Sequence, residues 1–274
     1  MSILLFKMLS KEMFRNPYAW GWGFFFVSFW LIMGAYIFSI EIPTGLPAEA
    51  YFSYTGSWFS MSLVYSFSAL AVGIVNSSYY SSFSLRYLTK YSTLNGKRYY
   101  AVSLISTAMF FMVFSILLEV ETFLIYSFRF GVSLAPRNPV ELALASVLSA
   151  LFIYVLSSSI AYLVIVLKKP RLVTFASFLP LVISYPLLFL QLYLDIGYAP
   201  VFSPFNAVNS LLYRYYSGIE VPNGPLVTGS QASATIDPSY FWASLFSWIV
   251  LLSILNVILI GKQRGVSVEE LRQL

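Results

Sequence analysis

Six stretches of this 274-residue chain are each long and apolar enough to cross about 30 Å of hydrocarbon, which takes about 20 helical residues. They lie near 20–40, 58–79, 100–126, 140–167, 173–194 and 240–261. Backbone inside lipid has to satisfy its own N–H and C=O groups, so such stretches are helices. Composition agrees, because only 10% of the residues are charged where a soluble domain carries about 25%. The expected fold is an all-α polytopic membrane protein with one transmembrane domain over 1–274, without internal repeat, linker or second domain.

Proline marks the boundaries. Eleven of the 13 prolines fall between spans, among them Pro17, Pro43, Pro136, Pro170 and Pro238, where a missing N–H costs little. Pro180 and Pro186 both fall in the fifth span, which is therefore expected to be kinked or locally unwound. Aromatic residues such as Tyr18, Trp20, Trp22, Trp58, Tyr79, Tyr99, Tyr240 and Trp242 sit where the water boundaries should be.

The basic residues set an orientation. Lys7, Lys11, Arg15, Arg86, Lys90, Lys97, Arg98, Lys168, Lys169, Arg171, Lys262, Arg264 and Arg272 fall on one side, and only Arg129, Arg137 and Arg214 on the other. The positive-inside rule then predicts cytoplasmic N- and C-termini in the plasma (cytoplasmic) membrane. It also accounts for the net charge of +5 as a topology signal, so no nucleic-acid partner is expected.

Segments outside the spans differ in character. Lys7, Lys11 and Arg15 recur every four residues along one stripe of an otherwise apolar segment, which predicts an interfacial helix within 1–17 rather than a signal peptide or a span. The first outer loop, 41–57, carries two acids and no base. The 77–98 cytoplasmic loop carries four bases and no acid, and its Tyr-rich FSLRYLTKYSTL run reads as helical. The outer loop 195–238 is too long for a passive connection and contains a helix-like PFNAVNSLLYRYY. Ser267 and Glu270 have capping-box spacing near the end of the chain.

Several chemistries are excluded outright. The chain has no Cys and no His, hence no thiolate or imidazole metal site and no Ser–His–Asp triad. It has no Gly-x-x-x-x-Gly-Lys-Ser/Thr run to cradle nucleotide phosphates. An intramembrane enzyme would need Ser–Lys, Tyr or carboxylate chemistry, and every lysine falls in a cytoplasmic segment.

Two carboxylates lie inside the third span. Glu119 and Glu121 point about 200° apart on a helix and cannot form an acid–base dyad. Glu119 shares a stripe with Ser115, Thr122 and Tyr126, as for a protein interior or a water-filled path. Glu121 shares one with Phe114, Leu117, Leu118, Leu124 and Phe128, as for a lipid-facing or tightly packed side. The plain reading is that both snorkel outward or pair with Arg129. Ser62, Ser66, Ala69 and Gly73, and likewise Ser146, Ala150, Ser157 and Ala161, have the small-xxx-small spacing of close helix packing.

Together these features resemble the type-2 ABC transporter permeases, six-span exporter subunits for lipids, glycans, drugs and peptides. In that family an interfacial elbow helix precedes the first span, often with a basic residue and Asn-Pro. Here KMLSKEMFRNPYAW supplies Arg15, Asn16 and Pro17. The family's cytoplasmic coupling helix between spans two and three resembles SFSLRYLTKYSTLNGKRYYAVSL, and its extracellular helices before the last span resemble SPFNAVNSLLYRYYSG. Family members often open the coupling segment with an acid–Arg pair and Gly-Thr, whereas this chain has Leu85-Arg86 and no Gly-Thr.

The resemblance implies a permease subunit without catalysis or cofactor of its own. Two ATPase subunits holding ATP and Mg would press on Leu85, Arg86, Tyr87, Leu88, Thr89, Lys90 and Tyr91. A second permease subunit, identical or paralogous, would complete a path lined by spans one, two and five. Phe25, Phe29, Ser62, Ser66 and Glu119 are the expected path residues, and the cargo is hydrophobic or amphipathic. Two other readings remain: an ion-coupled secondary transporter using Glu119, and a membrane scaffold or assembly subunit. The fifth span is broken by proline while its counterpart, the second, has none, which does not fit the paired broken helices of secondary transporters.

Overall fold

The computed structural model describes residues 2–40, 42–43, 45–91, 96–229 and 234–262, with side chains described except at 2, 83–91, 96–97 and 261. The six spanning helices are Pro17–Phe38, Ala48–Ser82, Arg98–Phe130, Pro139–Leu167, Leu172–Tyr193 and Pro238–Ile260, here spans 1 to 6. This is an all-α multi-pass membrane protein. Its β-structure among the described residues is one antiparallel pairing of β1 (Val221–Pro222) with β2 (Thr235–Ile236).

Helix α1 (Ser2–Phe14) packs on the third span and turns sharply into the first. The Trp20 indole Nε1 donates to the Phe14 carbonyl at 2.8 Å, and the Phe14 ring meets Phe110 edge-on at 4.9 Å. The Arg15-Asn16-Pro17 motif has a local cause. Asn16 Oδ1 accepts the Tyr18 N–H at 3.0 Å as an N-cap, and Pro17 fills the first helical position, where its missing N–H is harmless.

Span 1 is wound unevenly. Short α2 (Pro17–Trp20) leads into a π-helical turn at Gly21–Phe25, then α3 (Phe26–Met33), then a second π-helical turn at Gly34–Phe38. Each wide turn begins at a glycine, and the glycines let the span approach its neighbour closely. A Cβ on Gly23 would come within 2.7 Å of Leu70, and one on Gly34 would overlap Tyr126 Oη and meet Trp58 at 2.6 Å.

Helix α4 (Ala48–Tyr91) is the axis of the molecule. It packs against α5 (Gly96–Phe130), α6 (Pro139–Leu167), α8 (Leu179–Tyr193) and α10 (Pro204–Ser217). Its 44 residues extend about 66 Å, twice the hydrocarbon thickness. Two expectations change here. The 41–57 segment is not all loop, because α4 begins at Ala48 and its first turns are buried against α10. The FSLRYLTKY run is helical, as read, but as a direct continuation of span 2.

Span 5 breaks where proline predicts. Helix α7 (Leu172–Ser177) ends in a tight turn, the Phe178 N–H bonding Phe175 O at 3.2 Å, and α8 restarts with Pro180 in its first turn. Pro186 lies inside α8.

The 195–238 segment holds α9 (Ala199–Phe202) and α10, followed by the β-pairing and α11 (Pro238–Lys262). Helix α10 occupies the predicted PFNAVNSLLYRYY, but it is no surface appendage. Phe205, Ala207, Val208, Leu211, Leu212, Tyr213 and Tyr216 are all buried among α4, α6, α8 and α11. The Phe205 ring meets Phe152 at 5.4 Å, well inside span 4, and the Trp248 indole Nε1 donates to Phe202 O. The chain therefore dips back into the bundle after span 5 and climbs out along α10. Gly218, at φ 70°, stops the helix with its N–H on Arg214 O at 2.8 Å.

Candidate functional site

Spans 1 and 5 both lean on span 2 and leave a groove between them. At the α1 end the groove deepens into a cavity of about 640 Å³, within the size range of small-molecule sites. Tyr18 and Trp22 of span 1 stand on one rim, and Thr174, Phe178 and Leu181 of span 5 on the other. Ala69, Gly73 and Asn76 of α4 form the floor, and Thr107 and Phe110 of α5 the back. Helix α1 closes the end with Leu9, Glu12 and Met13. Phe178 sits at the break between α7 and α8.

Midway along the groove span 5 is tied to span 2. The Tyr65 hydroxyl donates to Tyr185 O at 2.9 Å, and their rings stack at 5.2 Å with 16° between planes. Farther along, toward α10, Ile37, Phe38, Phe189 and Tyr193 flank a second, more open cavity of about 610 Å³. Phe38 itself stacks on Trp58 at 5.4 Å.

The expected path residues do not converge on either cavity. Phe25 and Phe29 lie on the outward face of span 1, 64% and 51% exposed. Ser62 and Ser66 are wholly buried in α4. Ser66 Oγ donates to Gly23 O at 2.6 Å, and the Ser62 hydroxyl has no partner among the described residues. The small-residue stripe of span 2 thus has two uses: Ser62 and Ser66 pack, while Ala69 and Gly73 floor the cavity. In span 4 the corresponding Ser146, Ala150, Ser157 and Ala161 are all buried.

The carboxylates are held differently from one another. Glu121, read as lipid-facing or packed, accepts the Ser28 hydroxyl of span 1 at 2.7 Å. Half-buried Glu119 makes no hydrogen bond or ion pair among the described residues. Neither pairs with Arg129. Its Nε donates instead to Ala35 O at 3.1 Å and Ser39 Oγ at 3.3 Å, capping the carbonyl end of span 1.

A second polar cluster lies where α10 meets span 5. Gln191 Nε2 donates to Ser210 Oγ at 2.7 Å, and Gln191 Oε1 accepts from Asn206 and Asn209 Nδ2, each at 2.9 Å. Asn206 Nδ2 also reaches Leu187 O at 2.9 Å. All four side chains are at most 1% exposed. This cluster went unread in the sequence, although a lone glutamine inside an apolar span was a visible signal.

The residues singled out for coupling, Leu85, Arg86, Tyr87, Leu88, Thr89, Lys90 and Tyr91, form the last turns of α4, and their side chains lie outside the described residues. The Ser267–Glu270 capping pair also lies outside them. Among the described residues no three Asp or Glu side chains gather to hold a metal ion. Comparison with protein-family models, with curated proteins and with solved structures yields no match to this chain.

Proposed function

We propose that this chain is the membrane subunit of an ATP-driven exporter, moving a hydrophobic or amphipathic molecule out of the cytoplasm. The observation that carries the reading is the length of α4. It outlasts any bilayer-spanning length and runs on past span 2 to Tyr91, through Arg86 and Lys90. A continuous helical tip reaching beyond the lipid suits a rigid lever pressed by a soluble motor.

The remaining parts take consistent roles. The basic residues orient this tip and both termini toward the cytoplasm. Helix α1 lies at the interface as an elbow, with Lys7, Lys11 and Arg15 toward lipid phosphates. The groove of spans 1, 2 and 5 becomes a closed path when a second subunit, identical or paralogous, covers it. Two ATPase subunits supply ATP and Mg, and this chain supplies path and lever.

The test is a mild-detergent purification of the tagged chain from its native membranes. The expected result is a stoichiometric soluble ATPase that is lost when 86–91 are replaced by alanine. A chain that purifies alone, without ATPase activity in the preparation, overturns the reading. Glu119 of span 3, without a hydrogen bond or ion pair among the described residues, is then the first residue to test for ion-coupled transport.

A further inference from the structure

We propose that the cavity beneath α1 is a binding site for an amphiphile whose head group carries an alkylated ammonium. The inference goes beyond the exporter reading and stands on the cavity alone. Its depth is apolar, with Leu70, Phe110, Phe111 and Leu181 among the walls, and so accepts an alkyl chain. Its mouth is not apolar. Among the described residues Glu12 is the one charged side chain that lines it, and neither Lys11 of the same helix nor Arg15 just beyond it does so.

Four aromatic rings, Tyr18, Trp22, Tyr80 and Tyr99, line the same cavity. A carboxylate and aromatic rings lining one cavity are the chemistry that recognises alkylated ammonium groups, through charge and cation–π attraction together. A carboxylate-headed chain would meet Glu12 as a like charge, and a neutral one could gain a hydrogen bond from it but no charge attraction. The Ser77 hydroxyl donates to Glu12 at a long 3.4 Å, which leaves the carboxylate able to take a second partner. The floor is open for a reason that can be tested: a Cβ on Gly73 would meet nothing nearer than Asn16 Nδ2 at 3.9 Å, so a larger side chain there grows into the cavity.

The experiment uses the purified full chain in a neutral maltoside detergent. The probes are a tail-brominated alkyltrimethylammonium and the tail-brominated alcohol of equal chain length, read by quenching of the Trp22 fluorescence that Trp22→Phe removes. Wild type is expected to bind the ammonium saturably. Glu12→Gln should weaken the ammonium at least tenfold and the alcohol much less, while Gly73→Phe should weaken both at least tenfold. Ala69→Met serves as a second cavity-filling variant should Gly73→Phe fail to match wild type in elution and melting.

Absence of saturable quenching, equal ammonium affinity in Glu12→Gln, or unchanged binding in both filled variants overturns the proposal. Equal losses of both probes in Glu12→Gln would also overturn the assignment of the head group. No ATPase takes part in the measurement, so its failure is distinct from failure to co-purify a motor subunit.

Discussion

Spans 1 and 2 are neighbours and about equally apolar, yet 83% of the most apolar 18 residues in span 2 are buried against 33% in span 1. In water the apolar side would be the inside. In lipid that rule loses its force, because chains of lipid are as apolar as leucine, and close approach and polar contact decide which face turns inward. Span 2 accordingly buries Ser53, Ser57, Ser60, Ser62, Ser66 and Ser68 completely, while span 1 turns Phe25, Phe26 and Phe29 outward. Small hydroxyl side chains mark the core of this protein better than its large apolar ones do.

The comparison extends to α10, which is buried like span 2 and tied by polar groups. Replacing Gln191 with leucine raises hydropathy and should still be the most damaging of the changes considered. It strands the Asn209 amide and the Ser210 hydroxyl where neither is exposed above 1%. Each orphaned buried group costs about 1–3 kcal/mol, so a total of about 3 kcal/mol is expected. Thermal unfolding in detergent should show a large drop for Gln191→Leu and a smaller one for Gln191→Glu. A melting temperature equal to wild type for both would show that α10 is held by its apolar contacts alone.

Substitution on span 1 should separate its two sides. Gly34→Val pushes a side chain into Trp58 and Tyr126, both almost completely buried, and should cost about 2 kcal/mol. Phe29→Leu alters a half-exposed ring on the outward side and should stay within about 0.5 kcal/mol. Equal losses in the two variants, read by the same unfolding assay, would erase the distinction between the faces. A clear loss for Phe29→Leu alone would instead point to a protein partner on that face, as a second subunit over the groove would be.

The six spans and the break in the fifth were legible because hydrocarbon thickness and the missing proline N–H act locally. The helix in 195–238 was legible for the same kind of reason, from Pro204 and the following helix-forming run. Its depth was not. Nothing local in PFNAVNSLLYRYY says that Tyr213 will bond to Ser53, 160 residues away, at 2.8 Å. The wide turns of span 1 were hinted at by Gly21 and Gly34, but glycine in a membrane helix signals close packing as readily as altered winding. For Glu121 the stripe left a lipid-facing or a packed side open, and it could not name the partner, because Ser28 lies 93 residues away on span 1. The cavity was the least legible feature. It arises where α1, spans 1 to 3 and the broken span 5 fail to fill space together, and no single segment encodes such a gap.

The sixth span is the extreme of the comparison, with only 22% of its most apolar residues buried, so its fixed points should matter in proportion. One is Asp237, whose Oδ1 accepts the Ser239 N–H at 2.7 Å as the chain enters α11. That hydrogen bonding holds the Asp237 carboxyl below its ordinary range. A carboxyl lowered on folding stabilises the folded state above its unfolded pKa of about 4, and the contribution is lost as pH falls through the lower folded value. Asp237→Ala should therefore melt slightly below wild type at pH 7, with the gap closing as the pH drops beneath about 4. A gap that persists unchanged at acid pH would assign the effect to helix propensity at the turn instead of to the charge. No gap at pH 7 would leave span 6 held at this end by packing, through the Trp242 indole on the Tyr215 hydroxyl at 2.9 Å.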